Sequence, residues 1–474
     1  MVFSSITFLI YFLPAFLALY YSVPKKFKNI VLLLSSVFFY SWGAPKFIFV
    51  ILGTTFIDFH LVKWMAASTE KRKKTALLAT SVGINLGLLL YFKYSNFFVE
   101  NLNVVLELAG IQAIHWTKLI LPIGISFYTF ESITYTVDVF RGVHKPLQKF
   151  WNYQLYIILF PKLIAGPIVR YHDIADQIED RTNSETLDNF LSGLYRFIIG
   201  LSKKVLIANS VGLIADHTID GNPIHLSMPH AWIGILAYTF QIYFDFAGYS
   251  DMAIGICKMV GFKIPENFNS PYTSRSITEF WRRWHISLGK WMKNYLYIPL
   301  GGNRTDSKIK LYRNLWLVFI FSGLWHGASW GFILWGLYHG LFIVLERSFL
   351  SSFYQKIGRL PATVITFFIV TIGWVFFRIE DAQKVGVYLS RMFDFNHLEI
   401  PYLESNFWFF FVCAVVFSFF SFSKIGERMQ LRFYNTTTSA RGHVLMFALC
   451  MTLLFLCISS ITSSNFNPFI YFRF

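Results

Sequence analysis

Apolar runs that recur along the chain, separated by short basic clusters, constrain its fold more than any other feature. Residues 6–20, 76–91, 233–242, 316–321, 332–345, 364–377 and 407–420 carry no charged side chain. Extended by their neighbours, several approach the roughly 20 residues that a helix needs to cross a bilayer, and the shorter ones suit tilted or re-entrant segments. Only 14% of the 474 residues are charged and 20% are aromatic, whereas about 25% of a soluble domain is charged. Inside a bilayer every backbone polar group must be satisfied within the segment that carries it. The expectation is therefore an all-α, multi-pass membrane protein with roughly eleven spanning helices. Short re-entrant or interfacial helices complete it, arranged around a central funnel or tunnel.

The first apolar run has no basic segment before it and no small-residue cleavage site after it, so it reads as a retained helix rather than a signal peptide. Lys25, Lys26 and Lys28 follow it, and Lys71, Arg72, Lys73 and Lys74 mark a second basic loop. The positive-inside rule puts both loops in the cytoplasm, with the N-terminus outside and the chain in the cell inner (plasma) membrane. The formal net charge of +16 is dispersed over such loops, which fits contact with membrane lipid. Nucleic-acid binding would need a soluble basic face, and none is visible. The four cysteines, Cys257, Cys413, Cys450 and Cys457, lie in or beside apolar runs without metal or disulfide spacing and read as buried thiols. With no linker or low-complexity tract, residues 1–474 read as one membrane domain whose unusual polar residues concentrate between about 118 and 347.

Two Trp-rich blocks carry histidines where polar groups are costly. Residues 280–304 read FWRRWHISLGKWMKNYLYIPLGGNR and contain His285. Trp281, Trp284, Leu288, Trp291 and Tyr295 recur at spacings of three and four, which predicts a helical stripe. Arg282, Arg283, Lys290 and Lys293 fill the remaining surface. Such a segment suits the bilayer interface, with indole rings at headgroup level. Its cationic face would equally receive an anionic donor, such as the phosphates of coenzyme A or of a carrier-protein pantetheine arm. Nine Lys or Arg fall between Arg275 and Arg313, against Glu279 and Asp306.

Residues 321–340 read FSGLWHGASWGFILWGLYHG and contain His326 between Trp325 and Trp330. Gly323, Gly327 and Gly331 recur every four residues, as do Gly336 and Gly340, the pattern that lets membrane helices approach closely. Close packing around His326 would also leave a dry slot for a small acyl group. A desolvated imidazole stays neutral there and is available as a base. His339 reads as a packing residue on another face. Elsewhere Tyr128, Glu131, Tyr135 and Asp138 are spaced to share one helix face, and Asp245 and Asp251 flank FAGYSD. These carboxylates need cationic partners, for which Lys162 is a candidate. Pro161, Gly166 and Pro167 predict a broken helix.

Taken together, IYFDFAGYSDMAIG, ENFNSPYTSRSITEFWRRWHISL, YIPLGGNR and LWHGASW resemble the membrane-bound O-acyltransferase family, in its branch that O-acetylates alginate. The closing NFNPFIYFRF is similar to that branch too. The resemblance implies that His326 is the catalytic histidine, assisted by His285, with Trp284, Trp325 and Trp330 lining the site and Arg282, Arg283, Lys290 and Lys293 binding the donor. It implies no metal and no bound cofactor. The implied donor is acetyl-coenzyme A or a carrier-protein acyl thioester, and the acyl group, acetyl above all, passes across the membrane to a cell-envelope or extracellular polysaccharide such as alginate. An extracytoplasmic, hydrolase-like acetyltransferase partner would complete the transfer. Two alternatives stand beside it: a D-alanyl transferase acting toward teichoic acids, and a polysaccharide or lipid transporter with a proton relay.

Overall fold

A computed structural model describes residues 1–305, 307–434, 440–463 and 469; Asp306 and nearly all of the closing NFNPFIYFRF lie outside the described residues. Every regular element among the described residues is helical. Seven helices are long and apolar enough to cross a membrane: Ile48–Ala67, Lys71–Leu108, Leu187–Asp220, Trp330–Ile357, Arg359–Arg378, Ser405–Phe422 and Ala440–Ser463. Seven is fewer than the roughly eleven that the hydropathy pattern predicts. Thr7–Ser22 is apolar but short. Met228–Met259 is 32 residues long, yet Gln241, Asp245 and Asp251 interrupt its apolar run. The cysteines are unpaired, and all but Cys413 are buried.

The chain folds as two compact units, Met1–Phe190 with Ile256–Pro265, and Leu191–Gly255 with Glu266–Phe474. In the first, buried polar side chains tie helices together where no water is at hand. Asp58 on Ile48–Ala67 accepts hydrogen bonds from Ser81 Oγ (2.6 Å) and Asn85 Nδ2 (2.8 Å) of Lys71–Leu108. Ser81 in turn meets Thr136 of Ile125–Phe140 at 3.0 Å. That third helix buries Tyr128, Glu131, Tyr135 and Asp138 together. Glu131 pairs with Lys162, both side chains being fully buried, and Asp138 receives His172 Nδ1 at 2.7 Å.

Lys162 sits on the expected broken helix, which runs Phe150–Ile158, opens at Leu159 and resumes as Phe160–Leu163. Pro161 has no N–H to give, and the groups freed by the break find partners. Phe160 N–H donates to Ser36 Oγ (3.1 Å), and Tyr156 O–H donates to the Val169 carbonyl (2.9 Å). Irregular backbone is tolerated in an apolar setting only on such terms.

In the second unit Met228–Met259 is held by charge as well as shape. Asp251 takes Arg196 (2.8 Å) and Lys203 (2.6 Å), and Asp245 takes Lys204 (2.8 Å). The intramembrane carboxylates are thus structural partners of cations, as expected. Their helix also carries Phe246 and Ser250, which reach the histidine-bearing segment.

Removing one half of the buried Glu131–Lys162 pair leaves the other charge without compensation, at a cost of about 3–5 kcal/mol. Glu131→Gln should therefore lower the thermal unfolding midpoint in detergent sharply, while Glu131→Gln combined with Lys162→Met recovers most of the loss. Equal midpoints for Glu131→Gln and the parent protein would count against a structural role for the pair.

Candidate active site

The sequence Ser276-Ile277-Thr278-Glu279 starts the helix Ile277–Arg283 through its caps. Ser276 Oγ accepts from Glu279 N–H (3.1 Å), and Glu279 reaches back to Arg275 N–H (2.9 Å), which satisfies donors that the first turn leaves free. Glu346, from the helical turn after Trp330–Leu345, adds its buried carboxylate to the same end. It accepts from Ile277 N–H, Thr278 N–H (2.9 Å) and Thr278 Oγ1 (2.6 Å). A negative charge there also faces the positive end of the helix dipole.

The helix does not continue through the Trp-rich block. It stops at Arg283, and a second helix, Ile286–Trp291, begins after His285. The continuous stripe expected from Trp281 to Tyr295 is therefore divided between two helices. The reason is the backbone of His285, whose φ of 44° lies in the left-handed region. A side chain with a Cβ pays roughly 1–2 kcal/mol there, and such strain concentrates at functional sites.

Asn267 holds the strained residue in place. Its Oδ1 lies 3.1 Å from His285 Nδ1 and also accepts from Ser287 Oγ (2.8 Å), while its Nδ2 donates to Ser250 Oγ (3.1 Å). Ile286 N–H donates to the Asn267 carbonyl at 2.9 Å. An amide oxygen only accepts, so Nδ1 carries the proton and Nε2 presents a lone pair. That Nε2 is buried and meets no hydrogen-bond partner among the described residues. The second-unit Phe246 ring stands edge-on to the imidazole at 4.7 Å.

His326 closes the helix Lys308–His326 and is 6% exposed. Rings surround it: Trp325 at 4.8 Å, Phe377 at 4.9 Å and Trp335 at 5.2 Å between centroids. Trp325 also lies 5.9 Å from His285, so one indole joins the two histidines. Trp335 serves likewise on the other side, 5.1 Å from His339. His339 is fully buried, and neither of its ring nitrogens has a partner among the described residues.

The glycine pattern builds this wall by close helix packing. A Cβ on Gly323 would come within 2.3 Å of the Phe332 carbonyl, and one on Gly336 within 2.5 Å of the Phe319 carbonyl. The helices Lys308–His326 and Trp330–Leu345 thus touch backbone to backbone, and Trp335 reaches His326.

Of the other expected site residues, Trp325 is beside both histidines. Trp284 packs on Trp374 (4.8 Å), Phe268 (5.0 Å) and Phe280 (5.5 Å), and Trp330 is 52% exposed at the start of its helix. Arg282, Lys290 and Lys293 are exposed, whereas Arg283 is engaged by Glu279 at 2.9 Å. Sequence reasoning passed over Asn267, Trp335, Phe377 and Glu346. Asn267 stands inside the quoted ENFNSPYT block, which was the available signal; the other three depend on tertiary packing. The arrangement can take a proton from an O–H group onto an imidazole, in aromatic surroundings that keep water out.

The family model described as the membrane-bound O-acyltransferase family matches residues 6–379. The chain is 45% identical over 406 residues to a probable alginate O-acetylase of Pseudomonas aeruginosa, covering 85% of this chain and 77% of that one. It is 36% identical over 439 residues to a peptidoglycan O-acetyltransferase of Helicobacter pylori, covering 86% and 82%. A teichoic acid D-alanyltransferase of Bacillus subtilis is more distant, 30% identical over 283 residues, covering 55% and 69%.

Gly323→Leu forces a side chain into the Phe332 backbone and should destabilise the protein by roughly 1–3 kcal/mol or more. Gly53→Ala, whose Cβ would meet nothing within 4 Å, should leave the unfolding midpoint unchanged. Midpoints measured side by side in detergent decide it, and a tolerated Gly323→Leu would mean that the two helices do not touch there.

Proposed function

The chain belongs to the membrane-bound O-acyltransferase family, and on that premise we propose that it passes an acetyl group from a cytoplasmic thioester toward a hydroxyl of a cell-envelope or extracellular polysaccharide. It is a multi-pass membrane O-acyltransferase. The names of its relatives support acetyl as the group and an alginate-like polymer as the acceptor, and acetyl-coenzyme A is the donor we propose for it. A carrier-protein thioester, as in D-alanyl transfer, is the second reading, carried by the more distant relative.

The observation that carries the mechanism is the pair of histidines bridged by Trp325, with the tautomer of His285 fixed by Asn267. In the proposed step the hydroxyl oxygen attacks the thioester carbonyl, an O–C bond forms and the C–S bond breaks. His326 takes the hydroxyl proton and returns it to the departing sulfur, so that thiol leaves. The attacking hydroxyl has one proton, which goes to His326, so His285 assists by accepting at Nε2 from a second donor group of the acceptor molecule. Arg282, Lys290 and Lys293 meet the donor's phosphates, each through a charge-assisted contact.

We place the protein in the inner membrane with Lys25, Lys26, Lys28 and the Lys71–Lys74 cluster in the cytoplasm and the N-terminus outside, on the strength of the positive-inside rule. The acyl group is handed to an extracytoplasmic, hydrolase-like partner, which delivers it to the polymer.

Purified protein in lipid nanodiscs, supplied with labelled acetyl-coenzyme A, partner and acceptor, should release thiol. His326→Ala should lose about 10²–10⁴-fold of that rate, the range for a missing general base, while inserting and folding normally. Release from a carrier-protein thioester alone would support the D-alanyl reading. No His326-dependent release from either donor would overturn the mechanism. Replacing Lys290 and Lys293 with Gln should raise KM for the donor several-fold at unchanged kcat, the mark of lost ground-state binding.

A further inference from the structure

A groove of about 510 Å³ opens in the second unit between the membrane-crossing helices Arg359–Arg378 and Ser405–Phe422. It is apart from the histidines. Its walls include Phe367, Phe368, Phe419, Phe420 and Phe422, with Phe367 and Phe419 in contact at 5.4 Å. Among these rings stands one misplaced polar group, Thr363. It lines the groove, is 3% exposed, and its Oγ1 has no hydrogen-bond partner among the described residues. That oxygen is itself buried, so it is out of reach of anything lying in the groove.

Arg359, Thr363 and Phe367 follow one another at intervals of four and share one face of their helix. The Arg359 guanidinium rests on the Phe422 ring at the groove's end, 4.3 Å from the centroid. It is exposed and forms no ion pair among the described residues. Exposed Lys356 precedes it on the chain by one turn, and exposed Lys424 follows Ser423, another lining residue. Read along the helix, the groove presents a cation and then aromatic surface, over roughly 13 Å from Arg359 to Phe368.

We propose that this groove binds one anionic glycerophospholipid. The order of its chemistry is the order of that molecule: Arg359 pairs with the phosphate in its fork geometry, and an acyl chain lies on Phe367, Phe368 and Phe419. A helix that crosses the bilayer aligns these two levels with headgroup and chain. A zwitterionic lipid would fill the apolar part equally well, but its own ammonium would compete for the phosphate that Arg359 seeks. The basic residues around the mouth favour the anionic lipid further.

The test uses the full-length protein, native mass spectrometry, and equal amounts of phosphatidylglycerol and phosphatidylcholine with identical chains. The parent protein should retain one phosphatidylglycerol in preference, by roughly fivefold for one interfacial cation. Arg359→Gln should abolish the preference, while Arg359→Lys keeps the charge without the fork and retains only part of it. Lys73→Gln, the same charge loss in the first turn of Lys71–Leu108 in the other unit, should change nothing. Comparable elution and unfolding midpoints identify the variants that remain folded. Equal retention of the two lipids by the parent protein, retention of neither, or an undiminished preference in folded Arg359→Gln would each overturn the proposal.

Discussion

An apolar chain of this kind cannot leave buried charges to water, so they must be answered from within. Most of the embedded charges are answered directly. Lys162 meets Glu131, Lys204 meets Asp245, and Asp251 meets both Arg196 and Lys203. Asp58 has hydroxyl and amide donors from a neighbouring helix instead. These pairs fix helices against one another and at the same time remove the carboxylates from the list of groups free to act chemically.

Against that background the imidazoles stand apart. His285 spends Nδ1 on Asn267 and leaves Nε2 without a partner among the described residues, and His339 leaves both nitrogens so. An unmade hydrogen bond to a buried group costs about 1–3 kcal/mol. His285 bears a further cost in its left-handed backbone. Strain and an unused lone pair at one residue, one indole away from a second histidine, form a preorganised hydrogen-bond acceptor beside the proposed base, with little left to rearrange when the reaction begins. Glu346 and Asn267 matter to this centre although neither is placed at the reacting atoms. One caps the short helix that carries Trp281 and leads into Trp284, and the other sets the tautomer of the histidine that follows it.

Much of this could be read from residue order. Glycines at intervals of four predicted the close helix pair, and the contacts of Gly323 and Gly336 have that origin. Glu131, Lys162 and the break around Pro161 were also legible, because an intramembrane carboxylate needs a partner and a proline ends a helix. The interruption at His285 was not. Its neighbours Trp284 and Ile286 continue a helical spacing, and the left-handed turn is imposed by Asn267, eighteen residues earlier in the chain. Trp335 and Phe377 were hidden for a related reason: they are ordinary apolar residues until packing sets them against His326. Seven described helices qualify as spans by length and composition, against the roughly eleven expected, because a helix such as Met228–Met259 carries polar residues that interrupt its apolar run.

All of the proposed chemistry depends on the thioester being attacked between His285 and His326. A cryo-electron microscopy structure with a non-hydrolysable thioether analogue of acetyl-coenzyme A tests it most directly. Density for the acetyl-bearing end is predicted beside Trp325, within reach of both imidazoles, and density for the phosphates near Arg282, Lys290 and Lys293. Ordered analogue with its acetyl end in a different part of the protein would contradict it.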